Sequence, residues 1–242
     1  MRISRFFCPE LDVNNKTFPL PEAAHRHAVQ VLRLKKGAKL QVFDGGGVEF
    51  EATLDSVAKR QSTITLGEQV NNELESPLTI TLLQGISRGE RMDYALQKAV
   101  ELGVNKVVPV LTERCNVQLS NGRADKRLHH WRGVMVSACE QSGRSVLPEL
   151  SDIMSLDDAL LDNKDVTCLV LDPLAAQGFS SIDKTSSVSL LIGPEGGLTE
   201  QEVQLASANE YQAVNFGPRI LRTETAAVAA LAVMQSLWGD LA

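Results

Sequence analysis

Aromatic residues are scarce in this 242-residue chain: two Trp, two Tyr and seven Phe, 5% in all. That is too few for extended platforms on which nucleic-acid bases stack. The four cysteines, Cys8, Cys115, Cys139 and Cys168, are scattered with no C-x-x-C pair, and four histidines add no zinc spacing. A disulfide scaffold and a metal site are therefore not expected. No apolar run approaches the roughly 18 residues that cross a bilayer, so no membrane association is expected. Met1–Phe7 holds no long apolar stretch of the signal-peptide kind, and a cytoplasmic location is expected. What remains, 43% hydrophobic and 22% charged residues, is the make-up of an ordinary folded chain of one or two domains.

The net charge of −6 argues against a surface that binds nucleic acid everywhere. Its distribution is uneven. Residues 1–146 hold 20 of the 24 Lys and Arg against 16 of the 30 Asp and Glu, a net of +4, and the remainder nets −10. An anionic partner is expected on the first 146 residues.

Up to residue 72 the pattern is short alternating strands around one helix predicted over Pro21–Arg33, with an Asp44-Gly-Gly-Gly hairpin turn. This reads as a small β-barrel. After a polar linker ending at Pro77, strands and helices alternate: strands over 78–83, 106–111, 166–171, 188–192 and 213–216, helices over 91–102, 124–142, 200–208 and 224–238. That alternation predicts an α/β domain with a mostly parallel sheet. The domains are thus expected at 1–72 and 73–242. The last helix is apolar nearly all round, as in a core helix or one shared with a second subunit.

Three strand-end loops stand out. Gly193-Pro-Glu-Gly-Gly-Leu198 follows a buried strand and precedes a helix capped by Thr199 with Glu202, an S/T-x-x-E capping box. Phe216-Gly-Pro-Arg-Ile-Leu221 follows another, and Thr223 is predicted to cap the last helix, with Arg222 and Glu224 beside it. Leu171-Asp172-Pro173 ends a third. Ligands of open α/β sheets sit at the carboxyl ends of strands, and glycines let backbone approach them closely. The Gly193–Leu198 loop is neither G-x-G-x-x-G nor a P-loop, which speaks against dinucleotides and nucleoside triphosphates.

Together with Ser87-Arg-Gly-Glu-Arg91, Lys98 with Glu101-Leu-Gly103, Glu113-Arg-Cys115, Ala138–Arg144 and His27 with Val31-Leu-Arg33, these segments resemble the RsmE-type family of 16S ribosomal RNA uridine-N3 methyltransferases, in the SPOUT superfamily of knotted methyltransferases. The resemblance spans essentially the whole chain. It implies a PUA-like β-barrel RNA-binding domain ahead of an α/β methyltransferase domain with a deep trefoil knot, and a homodimer built on the last helix. It implies S-adenosylmethionine as cofactor and N3 methylation of one uridine, uridine 1498 in standard rRNA numbering, within the small ribosomal subunit.

Carried onto this sequence, the cofactor residues are Leu171, Asp172, Gly193, Pro194, Glu195, Gly196, Gly197, Leu198, Phe216, Gly217, Ile220, Leu221 and Thr223. Asp172 is expected to act through its backbone. Arg222, Glu224 and Glu140 are the catalytic candidates, with Arg222 orienting or charging the uridine. RNA contacts are expected from Arg2, Arg5, Arg26, His27, Arg33, Arg88, Arg114, Arg123 and Arg144, with Lys126 and Arg127 nearby. Three other readings stay open: a non-catalytic ribosome-assembly factor on the same fold, a methyltransferase acting on another RNA position, and a nicotinamide oxidoreductase, which the missing fingerprint loop disfavours.

Overall fold

The computed structural model describes residues 3–13, 15–116, 122–161 and 166–241. The chain divides into two compact units, Met1–Glu75 with Cys139–Leu147, and Ser76–Ala138 with Pro148–Ala242.

The first unit is a five-stranded sheet. Its strands are β1 (Ser4–Phe7), β2 (Thr17–Pro19), β3 (Lys39–Phe43), β4 (Glu49–Val57) and β5 (Ser62–Gln69), in the order β1-β3-β4-β5-β2. Only β1 and β3 run parallel. Alternate residues Leu40, Val42, Ala52, Leu54 and Ile64 face one core with Phe6. Asp44 closes the β3–β4 turn by accepting from the amides of Gly46 and Val48.

The helix predicted over Pro21–Arg33 differs in kind. Only α1 (Glu22–His25) is α-helical, and Arg26–Val31 continue as a π-helix, with the Leu32 amide donating five residues back to His27. The wider turn leaves Val31 and Leu32 exposed and ends at Arg33 with φ 55°. Such i→i+5 turns are uncommon and invisible to a 3.6-residue periodicity.

The second unit is a parallel sheet flanked by helices. Its elements are β6 (Thr79–Gly85), α2 (Glu90–Glu101), β7 (Lys106–Leu111), α3 (Arg123–Ser142, whose last turn belongs to the first unit), β8 (Glu149–Leu150), β9 (Met154–Ser155), α4 (Leu156–Leu161), β10 (Thr167–Leu171), β11 (Ser187–Ile192), α5 (Glu200–Ala208), β12 (Gln212–Val214) and α6 (Thr223–Trp238). The strand order is β12-β10-β11-β6-β7-β8, with β9 also on β7. β6, β10 and β11 are buried on both faces along most of their length, as strands of a covered parallel sheet are. In α2, Met92, Ala95, Leu96 and Ala99 recur at helical spacing and are buried. The α6 side chain of Gln235 fastens the end of α2, donating to the Leu102 carbonyl and accepting from Ser76.

Candidate active site

The carboxyl ends of β10, β11 and β12 bring their three loops around one cavity of about 420 Å³. All the residues predicted to hold the cofactor line it except Gly217, which the cavity wall does not include. Arg114, Pro173, Leu174, Ile192, Val203, Arg219 and Ala226 complete the wall. The cavity size is within the range of small-molecule sites.

Backbone geometry makes the cavity. At Gly196 an added Cβ would lie 2.9 Å from the Cβ of Arg114, and at Gly193 2.9 Å from the Leu198 amide nitrogen. Gly197 adopts φ 68°, in the region that favours glycine. Behind the loop, a Cβ on Gly85 would meet Pro194 backbone at 2.5 Å, so β6 passes against it with no room for a side chain.

Polar contacts hold the loops in register. Arg114 donates from one guanidinium nitrogen to the carbonyls of Gly196 (3.0 Å) and Leu198 (3.3 Å). The Glu195 carboxylate accepts from the Arg88 amide at 2.8 Å and from the Arg91 guanidinium at 3.1 Å. Partial burial raises its pKa, but those donors and its own amide outweigh this and hold Glu195 below the ordinary carboxylate value. Glu202 completes the Thr199 capping box and also accepts from the Glu113 amide at 2.7 Å.

The β10 and β12 loops are joined by Asn215, which the sequence reading passed over. Its amide donates to Gln177, its side chain donates to the Ala175 carbonyl, and its side-chain oxygen accepts from Gly217. Asp172 receives the Leu174 amide in an Asx turn, so its carboxylate shapes the loop. Phe216 stacks against Phe179 with ring centroids 4.8 Å apart. An Asn just after a strand and before Gly-Pro was the available signal for the Asn215 clamp.

Thr223 does not cap α6. The N-cap is Arg222, with no side-chain cap bond, and Thr223 is the first helical residue. Its hydroxyl donates instead to the Gly193 carbonyl and accepts from buried Gln84. Arg222 is exposed. Glu224 is half-buried, and its Oε2 is buried with no hydrogen-bond partner. Neither lines the cavity.

Glu140 belongs to the first unit. It accepts from the Phe7 amide and lies 3.4 Å from His27. Burial raises its pKa more than those two partners and Arg5 lower it, leaving it above the ordinary value. Both partners lie in the first unit, and Glu140 does not line the cavity.

The residues expected to touch RNA separate into groups. Arg5 is 8% exposed and forks onto Glu49 at 2.8 and 2.9 Å. It also donates to the carbonyls of Cys139 and Arg144 and lies over the Phe43 ring. Arg144 is 4% exposed and forks onto Glu75. Both are therefore corrected: a guanidinium buried in a bidentate ion pair is not presented to a partner. Arg88 and Arg114 are exposed but serve the cavity loops, Arg88 also donating to the Asn116 carbonyl. Arg26, Arg33 and Arg123 are exposed, and His27 is half-buried. Arg2 lies outside the described residues. Among the described residues no helix is long and apolar enough to cross a membrane, and no cluster of His, Cys, Asp or Glu could hold a metal ion.

A strand-end cavity in a parallel sheet, glycine-walled and tied to the first turn of the last helix, defines a class. Residues 74–235 match the RNA methyltransferase domain, and residues 20–67 the RNA methyltransferase PUA domain. A ribosomal RNA small subunit methyltransferase E of Buchnera aphidicola is 35% identical, covering 99% of this chain and 98% of the relative. One from Bacillus subtilis is 31% identical over 90% of this chain and 89% of its own length. The chain belongs to the ribosomal RNA small subunit methyltransferase E family.

Two solved structures cover 100% of this chain and are themselves covered in full. One is a Legionella pneumophila methyltransferase with bound cofactor SAM, 37% identical with TM-score 0.96. The other is a Neisseria gonorrhoeae ribosomal RNA small subunit methyltransferase E bound to S-adenosyl methionine, 42% identical with TM-score 0.93. The fold expected from the sequence is the fold found: a knotted α/β methyltransferase domain behind a small PUA-like domain.

Proposed function

We propose that this chain transfers a methyl group from S-adenosylmethionine to N3 of one uridine of 16S rRNA, uridine 1498 in standard numbering, within the small ribosomal subunit. The observation that carries the reading is the cavity of the three strand-end loops, on a chain whose full-length relatives are small-subunit rRNA methyltransferases and were solved with that cofactor.

The cavity suits the cofactor. Its glycines expose backbone where a Cβ would close the space, and Leu171, Leu198, Ile220 and Leu221 supply apolar wall for a nucleoside. When bound, S-adenosylmethionine supplies a methyl group activated on a sulfonium. Arg114 and the Arg91–Glu195 ion pair hold the loop that would contact it, so that the reacting groups would meet in one geometry. Well-oriented encounter is worth up to roughly 7–11 kcal/mol.

The uridine must leave any stack to be reached, and N3 must lose its proton. Arg222 is exposed at the start of α6, where the positive helix end adds to its charge, which supports a role in stabilising the uridine anion. We assign Glu224, whose buried Oε2 lacks a partner, to accept the N3 proton once substrate brings a donor to it. Protein in the cytoplasm acting as a homodimer is part of the proposal. Half-buried Val228, Ala229, Ala232 and Val233 and exposed Leu237 on α6 support the dimer.

Titration calorimetry with S-adenosylmethionine, followed by steady-state kinetics of Arg222→Ala and Glu224→Gln, tests the reading. Micromolar cofactor binding with kcat reduced at least tenfold in both variants is expected. A protein that binds no cofactor is an assembly factor and not an enzyme. Full kcat in Arg222→Ala removes the role given to that residue.

A further inference from the structure

A second cavity, of about 280 Å³, lies where the starts of α2 and α3 meet, lined by residues other than those of the strand-end loops. Four of its lining residues, Arg123, Lys126, Arg127 and His130, stand at i, i+3, i+4 and i+7 on α3, so they form one stripe along one helix face. Buried Trp131 roots the stripe in the core. Across the cavity Gly89 begins α2 with φ 53°, no side-chain cap bond and no atom within 4 Å of where a Cβ would be. Among the described residues, the one carboxylate lining the cavity, Asp93, is held at 2.8 Å by His130. Lys126 and Arg127 make no ion pair among the described residues.

We propose that this cavity is a phosphate-backbone site for the RNA substrate, gripping phosphodiesters while the strand-end cavity presents the methyl donor. The inference rests on the proposed function above and extends it from the reacting uridine to the backbone of the substrate. The length of the stripe favours a polynucleotide over one small anion. Seven residues of helix span about 10 Å, and successive phosphates of a strand rise about 3.4 Å each. Arginine and lysine side chains that track a backbone give affinity without reading bases. The uncapped start of α2 adds donors of the same preference, since helix N-termini attract phosphate. Residues 1–146, which include both helices, also net +4 in a chain that nets −6.

The test is the double variant Lys126→Gln/Arg127→Gln, with Lys126→Gln alone as the milder companion. Three readouts are used: filter binding to naked 16S rRNA and to small subunits at several salt concentrations, calorimetry with S-adenosylmethionine, and a melting curve. RNA affinity is expected to fall about tenfold. The log–log salt slope is expected to become shallower by about 1 to 2. Cofactor affinity should stay at its wild-type value. Unchanged RNA affinity and slope overturn the proposal. So does protection of the wild type alone by inorganic phosphate with RNA binding intact, which makes the cavity a small-anion site. If the double variant melts early, the single variant decides by the same criteria. Loss of RNA affinity in a protein whose wild type methylates nothing keeps this site and discards the proposed function.

Discussion

The Thr223 hydroxyl donates to the Gly193 carbonyl at 2.7 Å. This bond joins the first residue of the last helix to the first residue of the glycine loop, thirty positions apart. Gln84 of the central strand β6 donates to the same hydroxyl at 3.1 Å, so three segments meet at one buried oxygen. Thr223→Val keeps the shape and deletes the bond. An unpaired buried acceptor costs about 1–3 kcal/mol, and cofactor affinity should fall about tenfold with the fold retained. Thr223→Ser should restore it, and unchanged affinity in Thr223→Val contradicts the account.

Gly196→Val drives a side chain into Arg114, whose Cβ already lies 2.9 Å from where the new Cβ would stand. Arg114 would then lose its bonds to Gly196 and Leu198. Calorimetry should show cofactor affinity reduced about a hundredfold, roughly 2.7 kcal/mol, with an unchanged circular dichroism spectrum. Wild-type affinity would exclude this cavity as the cofactor site.

Arg5 and Glu49 form a bidentate pair with side chains 6% and 2% exposed. Glu49→Gln or Arg5→Met leaves one buried charge without its partner. Removing one member of a buried pair costs about 3–5 kcal/mol. Urea denaturation should therefore show a large loss of stability with cofactor binding at wild-type strength when folded. A loss of RNA binding without loss of stability would instead return Arg5 to the RNA surface.

Glu140 gives a pH signature. Its carboxyl is raised above the ordinary value, chiefly by burial. From about pH 4 up to that raised value the native state binds more protons than the unfolded chain, so stability falls as pH rises through the window. Glu140→Gln should flatten this slope in urea titrations across the window. An unchanged slope would mean that the Phe7 amide and His27 hold the carboxylate ionised.

Local signals in the sequence were legible, and distant ones were not. Thr199 with Glu202 announces its capping box because both ends of the motif lie within one turn. The three loops of the cavity are visible as glycine or proline after strands, and Met92, Ala95, Leu96 and Ala99 show their face by spacing. The Arg5–Glu49 pair spans 44 positions, and nothing local separates it from a surface arginine meant for RNA. Thr223 reads as a cap because its partner Gly193 is brought near only by the tertiary fold. β8, β9 and α4 went unseen: two strands of two residues and a helix of six are too short to establish a period. The π-turn at Arg26–Val31 obeys neither period.

The central claim is the product. Small ribosomal subunits from cells lacking this protein, incubated with it and S-adenosylmethionine, should yield RNA that contains 3-methyluridine at one position when digested and read by mass spectrometry. Naked 16S rRNA run in parallel should yield far less, because a net of only +4 over residues 1–146 favours the shape of an assembled particle over free strands. Methylation at a ribose, at another base, or at no position despite bound cofactor would contradict the account.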